Sequence, residues 1–297
     1  MSGLMNCSAS AASPVGADTH ESLLTHSLYH KNIRFVDLLL TWGANPQQAE
    51  VHSVLQTYDP AILDRFWTLG LDFTREHALA HELARSSARP LYGWAKRHHD
   101  DARIAKELAI ALADAITEDR ERATALLLWA GADPHIRVPS LRYNDEKYPE
   151  DQSSALEYAL IYGKGKLLRR LKPDPTVDNF DKLWASASDL ATIEYLAEIQ
   201  APSDWSVPLL HNIRKITWGY GDHWETRTCI EKLGSLGARI NALTPDEVKD
   251  LRRSMLRCRV AFKVRWVLGW LKAVAHCDPT IYAELIRTPA MRRLASN

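Results

Sequence analysis

The residues best equipped for chemistry stand together in "KRHHDDAR", residues 96–103, where His98, His99, Asp100 and Asp101 follow one another. All four are metal-capable types, and His with Asp is also a general-base pairing. Neighbours along a helix point in different directions, so consecutive ligands do not converge on one ion. The stretch falls where a turn closes and reads as a solvated polar loop. "YGKGK", residues 162–166, offers Gly163 and Gly165, but no Ser or Thr follows on a strand-to-helix turn as a phosphate loop requires. The chain holds no G-x-S-x-G and no H-E-x-x-H, and no cysteine has a convincing His partner in sequence. Cys7, Cys229, Cys258 and Cys277 form no C-x-x-C pair and no spacing typical of a zinc site or disulfide framework. The expectation is a protein with no catalytic residue, metal or cofactor, in a reducing, cytoplasmic compartment.

Residues suited to binding are easier to find. "TWGYGDHWETR", residues 217–227, sets Trp218, Tyr220, Asp222, His223 and Trp224 around two glycines. Aromatic side chains held out by a short glycine loop suit a protein interface; the alternative is that Trp218 and Trp224 plug the interior of a hairpin. "RVPSLRYNDEKYPEDQ", residues 137–152, carries Arg142, Tyr143 and Tyr148 among acids. It reads as an extended turn tip, either a contact surface or a tolerated insertion. Between Lys249 and Lys272 lie Arg252, Arg253, Arg257, Arg259, Lys263 and Arg265, with Phe262, Trp266 and Trp270 interleaved. The three aromatics fall at i, i+4 and i+8, which predicts a core seam. The cations opposite are either a solvated cap face or a surface for nucleic acid or an acidic protein.

The elements that must position these residues follow from charge and periodicity. The 297 residues are 46% hydrophobic and 25% charged with formal charge +0, an ordinary composition for a folded chain. That zero hides an asymmetry: residues 1–205 hold 21 Lys and Arg against 29 Asp and Glu, and residues 206–297 hold 16 against 8. No segment matches the ~20 uninterrupted apolar residues of a membrane span. The start, "MSGLMNCSASAASPVGADTH", lacks the basic and apolar regions of a signal peptide, and residues 1–18 read as a flexible tail. From there on, turn signals separate pairs of helix-length, 3.6-periodic segments without strand alternation. The prediction is an all-α chain of about eight helical hairpins, closing near Gly43, Gly70, His99, Gly131, Lys172, Gln200, Gly237 and His276.

One signature repeats. "LLLTWGANP", residues 38–46, returns 88 positions later as "LLLWAGADP", residues 126–134. The leucines face the neighbouring hairpin, Gly takes the left-handed conformation that ends a helix, Asn or Asp bonds the local backbone, and Pro prevents continuation. One hairpin cannot bury both of its faces, so several must stack.

These motifs, with "CIEKLGSLGARIN" (229–241), resemble the end of the second helix of the ankyrin repeat. "SALEYALIYG" resembles its first helix: Ser154, Ala155 and Leu156 stand where that family has Thr-Pro-Leu, Glu157 replaces its His, and Ala159 and Gly163 keep its Ala and Gly spacing. "HALAHELA" (77–84) is a weaker echo, and the remaining hairpins fit by length alone. The resemblance implies a solenoid of about seven to eight degenerate repeats. It would form a single domain over 19–297, with insertions near 138–152 and 218–225 and a basic C-terminal capping hairpin. It also implies a non-catalytic, monomeric module that binds another protein through its concave face, turn tips and inserted loops, as adaptor, effector or inhibitor. Two other classes carry distinct marks. A nucleic-acid-associated protein would use Arg252, Arg253, Arg257 and Arg259 and lose affinity steeply with salt. An enzyme would bring His98 or His223 within hydrogen-bond reach of a carboxylate in a site assembled between turns.

Overall fold

Side chains with a free oxygen mark where the helices begin. Ser22, Asn32, Asp59, Asp101, Asn179, Asp189, Thr244 and Asp278 each accept a hydrogen bond from a backbone N–H one turn on, satisfying donors that have no partner inside the helix. The computed structural model describes residues 22–139, 152–218, 223–273 and 277–296. Among them it has eighteen α-helices and no strand; two isolated bridges are the sole β-type pairings. No described helix is long and apolar enough to cross a membrane. The expected tail, 1–18, lies outside the described residues.

The chain divides into two compact units, Met1–Ala155 and Leu156–Asn297. The first holds α1 (Leu23–Tyr29), α2 (Ile33–Thr41), α3 (Val51–Leu55), α4 (Pro60–Thr68), α5 (Ala78–Arg85), α6 (Arg89–Arg97), α7 (Ala102–Thr117) and α8 (Glu121–Ala130). Here α1 packs on α3, α3 on α5 and α5 on α7, while α4 packs on α6 and α6 on α8. From α3 to α6, each helix therefore meets the one two places along. The longest, α7, is apolar around most of its circumference and buries Ile104, Leu108, Ile110, Leu112 and Ile116.

The second unit takes in α9 (Ala155–Ile161), whose first residue ends the first unit, α10 (Leu168–Leu171), α11 (Phe180–Ser186), α12 (Leu190–Ile199), α13 (Ser206–Trp218), α14 (His223–Ser235), α15 (Pro245–Arg257), α16 (Ala261–Ala273), α17 (Pro279–Leu285) and α18 (Pro289–Ser296). The same pattern recurs: α11 on α13, α13 on α15 and α15 on α17, with α12 on α14 and α16 on α18. The basic pair α15–α16, expected to cap the chain, is thus followed by a ninth pair that packs on it. Residues 279–296 gave no long apolar run, and two prolines, Pro279 and Pro289, each open a short helix at its first position, where a missing N–H costs nothing.

The repeated signature behaves alike at both places. Gly43 and Gly131 have φ of +87° and +95°, and the following Ala44 and Ala132 N–H groups bond back to Leu39 and Leu127 at 2.9 and 3.0 Å. That is a left-handed helix ending, which favours glycine. Of each leucine triplet, the middle member, Leu39 or Leu127, is the one fully buried.

Candidate functional site

The aromatic loop emerges from the end of α13 and re-enters at α14. Ile213, Ile216 and Thr217 on one helix and Thr226, Cys229 and Ile230 on the other are buried, so the interior of this hairpin is already filled. Trp218 and Trp224, at the two ends of the loop, are 60% and 68% exposed, and the plug alternative is set aside. Tyr220 and Asp222 lie outside the described residues, as do Arg142, Tyr143 and Tyr148 of the other insertion; His223 is placed in α14 by its backbone. The stem of that insertion is defined. Val138 and Ser153 exchange backbone hydrogen bonds of 3.1 and 3.2 Å, and the Arg137 guanidinium donates to the Gln152 carbonyl.

Trp224 belongs to a ridge that the sequence did not assemble. The guanidinium of Arg227, one turn on in α14, lies 5.6 Å from the Trp224 ring and 5.0 Å from that of Trp266 on α16. Trp266 stacks on Trp270 at 6.5 Å, and Phe262 is 57% exposed at the start of the same helix. Arg227 also pairs with Glu231 at 2.9 Å. A cation held over two indole faces is attracted by both ring quadrupoles. The expected core seam is therefore corrected: α16 fully buries Val264, Val267, Leu268 and Leu271, while Phe262 is exposed and Trp266 and Trp270 are half-buried. Both stripes satisfy helical periodicity, and the smaller side chains are the ones that fit against α13.

On the other side of Trp218 is a groove of about 700 Å³ built from the ends of α9 and α11 and one face of α13. Its walls include Ile161, Val207 and Trp218, all exposed, and its charged residues are Arg214 and Lys215. The Lys215 ammonium donates to the Ser188 carbonyl at 3.0 Å. Neither cation forms an ion pair with a carboxylate among the described residues. His211, also in the wall, is held below its ordinary pKa by burial first and then by Lys215 and Arg214, which keeps it neutral near pH 7. A second groove, about 630 Å³, shares Val207 and contains Asp204, Glu247 and Asp278.

Gly163, in the cationic groove's wall, ends α9 at φ +68°. Gly165 is buried, and a Cβ there would overlap the Thr192 hydroxyl and the Asp189 carboxylate that start α12. The two glycines of "YGKGK" thus serve a helix ending and a close approach.

The histidine stretch is a set of helix ties. His98 Nε2 meets Asp64 at 2.9 Å, Arg97 reaches the same carboxylate at 3.0 Å, and the His98 ring lies 4.5 Å from that of Trp94. Burial pushes the Asp64 carboxyl up, but His98 and Arg97 outweigh it and hold it below the usual range. His99 Nδ1 bonds the Lys96 carbonyl at 2.8 Å, and Asp101 caps α7. His98 does come within reach of a carboxylate, as an enzyme would require, yet ring and carboxylate join α4 to α6. Sequence reading missed a comparable pair: Glu107, 2% exposed, accepts from the Ala80 N–H at 3.1 Å and meets His77 Nδ1 at 2.8 Å. Burial raises its pKa above the ordinary value despite those contacts. A glutamate inside the apolar run "AKELAIALADAI" was the available signal. No group of three or more His, Cys, Asp or Glu able to hold a metal occurs among the described residues.

Of the four arginines considered for nucleic acid, Arg253 pairs with Asp250 at 2.9 Å, Arg252 is half-buried, and Arg257 and Arg259 are exposed. Compared with known proteins, the chain matches no family model, and no curated protein or solved structure shows significant similarity to it.

Proposed function

We propose that the protein is a non-catalytic binding module, a degenerate ankyrin-like solenoid that recognises another protein through the aromatic ridge of its second unit. The observation that carries this reading is the exposure of Trp218, Trp224 and Phe262, with Arg227 lying over the Trp224 and Trp266 indoles. Exposed Trp and Arg are side chains that dominate interface energetics: Trp buries a large area with two rotatable bonds, and Arg presents a planar fork of donors. The i to i+2 helix contacts in each unit support the solenoid part of the reading, as do the matched left-handed endings at Gly43 and Gly131. Adaptor, effector and inhibitor all remain within this class, since a scaffold does not name its target.

The test is recovery of partners by the intact protein and by a Trp224→Ala/Phe262→Ala variant, with identification by mass spectrometry. The expected result is a specific set of proteins that the variant loses while its melting temperature stays unchanged. Equal recovery by the variant, or a loss that merely tracks a lowered melting temperature, would overturn the assignment of the ridge.

A further inference from the structure

The groove beside Trp218 has a chemistry that the ridge does not. Its cations, Arg214 and Lys215, are half-buried on one wall, and no carboxylate among its lining residues answers them. The Glu247 carboxylate acts on Arg214 from outside the groove, but none faces the two cations within it, and an incoming anion there gains charge-assisted hydrogen bonds. The apolar part of the lining is Ile161 with Val207 and the Trp218 ring, all more than a third exposed. Ser186 and Ser188 complete the floor.

We propose that this groove seats an acidic segment of a partner protein, its carboxylates on Arg214 and Lys215 and a bulky apolar side chain between Ile161, Val207 and Trp218. The inference rests on the protein-binding reading above and adds the class of ligand. Charge complementarity favours a peptide over a nucleic acid. A phosphate chain needs cations spaced along its path, whereas here the cations are two neighbours on α13 and the remaining lining adds no further Lys or Arg. A volume of about 700 Å³ holds a few side chains, and Arg214 can grip a carboxylate with two parallel N–H bonds.

The experiment pans a phage-displayed library of random dodecapeptides against the intact protein, then titrates the enriched peptides, fluorescein-labelled, by anisotropy. Three proteins are compared: the unaltered chain, Arg214→Gln/Lys215→Gln, and Trp224→Ala/Phe262→Ala. Enriched peptides should carry two or more Asp or Glu flanking a large apolar residue. Their affinity should fall roughly tenfold or more in the Arg214→Gln/Lys215→Gln variant, and equally when their own acids become Asn and Gln, with circular dichroism melting unchanged. Enrichment without acidic bias, equal binding by the groove variant, or displacement by a 20-residue oligothymidylate at lower concentration than by the peptide would overturn the proposal. Should the ridge variant alone lose the peptides, the groove assignment falls and the protein-binding reading stands. Should no peptide enrich and no protein be recovered by the unaltered chain, both fall.

Discussion

Val207 lies in the walls of two grooves of the second unit that differ in what their charges already do. On one side, Asp204 accepts from the backbone and hydroxyl of Ser206 at 2.8 and 2.7 Å, Glu247 does the same for Thr244 at 2.8 Å each, and Asp278 accepts from Thr280 N–H at 2.8 Å. Those carboxylates are occupied with turns and helix starts. On the other side, among the described residues Arg214 has no side-chain hydrogen bond and Lys215 has one, to a carbonyl. Two cavities of similar size and opposite charge therefore differ in kind: the acids are structural, and the cations are available. A count of charges around a pocket conveys less than the question of what each charge is bonded to.

This contrast can be broken in several ways. The largest effect is expected at Gly165, two positions beyond Gly163 of the cationic groove's wall. Gly165→Ala drives a methyl group into Asp189 and Thr192, and overpacking of that kind costs about 1–3 kcal/mol, read as a drop in the urea midpoint. Next, Thr244→Ala removes the capping box that engages Glu247 and should cost about 1 kcal/mol. The Arg214→Gln/Lys215→Gln variant, with no cap to lose, should stay within about 0.5 kcal/mol of the unaltered chain. If the cation variant proved the less stable of the two, the distinction between structural and available charge would be wrong.

Acid separates the two grooves more finely. Because the folded state lowers the pKa of His211, the unfolded chain takes up a proton at higher pH, and stability falls as pH drops through the ordinary value of 6.5. His211 shares its groove with Arg214, Lys215 and Tyr162 as the other titratable lining residues. In the acidic groove the hydrogen bonds from Thr244 and Thr280 hold Glu247 and Asp278 below their ordinary values of 4.5 and 3.8. Their contribution is present above those values and lost only at lower pH. Urea midpoints between pH 7.5 and 3 should therefore decline in two stages. His211→Gln should shrink the first stage, with His81 of the first unit, whose pKa is lowered by burial and then by Arg85, accounting for what persists. An unchanged first stage in that variant would place His211 in solvent.

Helix content and helix endings were legible in the sequence, because apolar periodicity and Gly-Ala-Asn/Asp-Pro are local signals. "LLLTWGANP" and "LLLWAGADP" predicted left-handed endings at Gly43 and Gly131, and both are found. Some turns carry the same conformation without the usual residue: Lys31, Tyr58 and Asp119 have φ between +53° and +59°, which no composition rule anticipates. The loop 217–227 was legible as aromatic, but its relation to α16 was not. Arg227 and Trp266 are 39 positions apart, and helix α16 is apolar on two faces, so periodicity could not choose the buried one. The cationic groove was invisible for the same reason. Ile161, Ser186 and Arg214 come from three helices, and proximity among them is a product of packing.

The arginine over two indoles has a further consequence. Trp224 and Trp266 sit on different helices, and the guanidinium of Arg227 within 6 Å of both gives them one shared neighbour. Any molecule that draws Arg227 toward itself changes the surroundings of both rings together. A ligand that moved Arg227 would therefore be read out as a change in the protein's own tryptophan fluorescence.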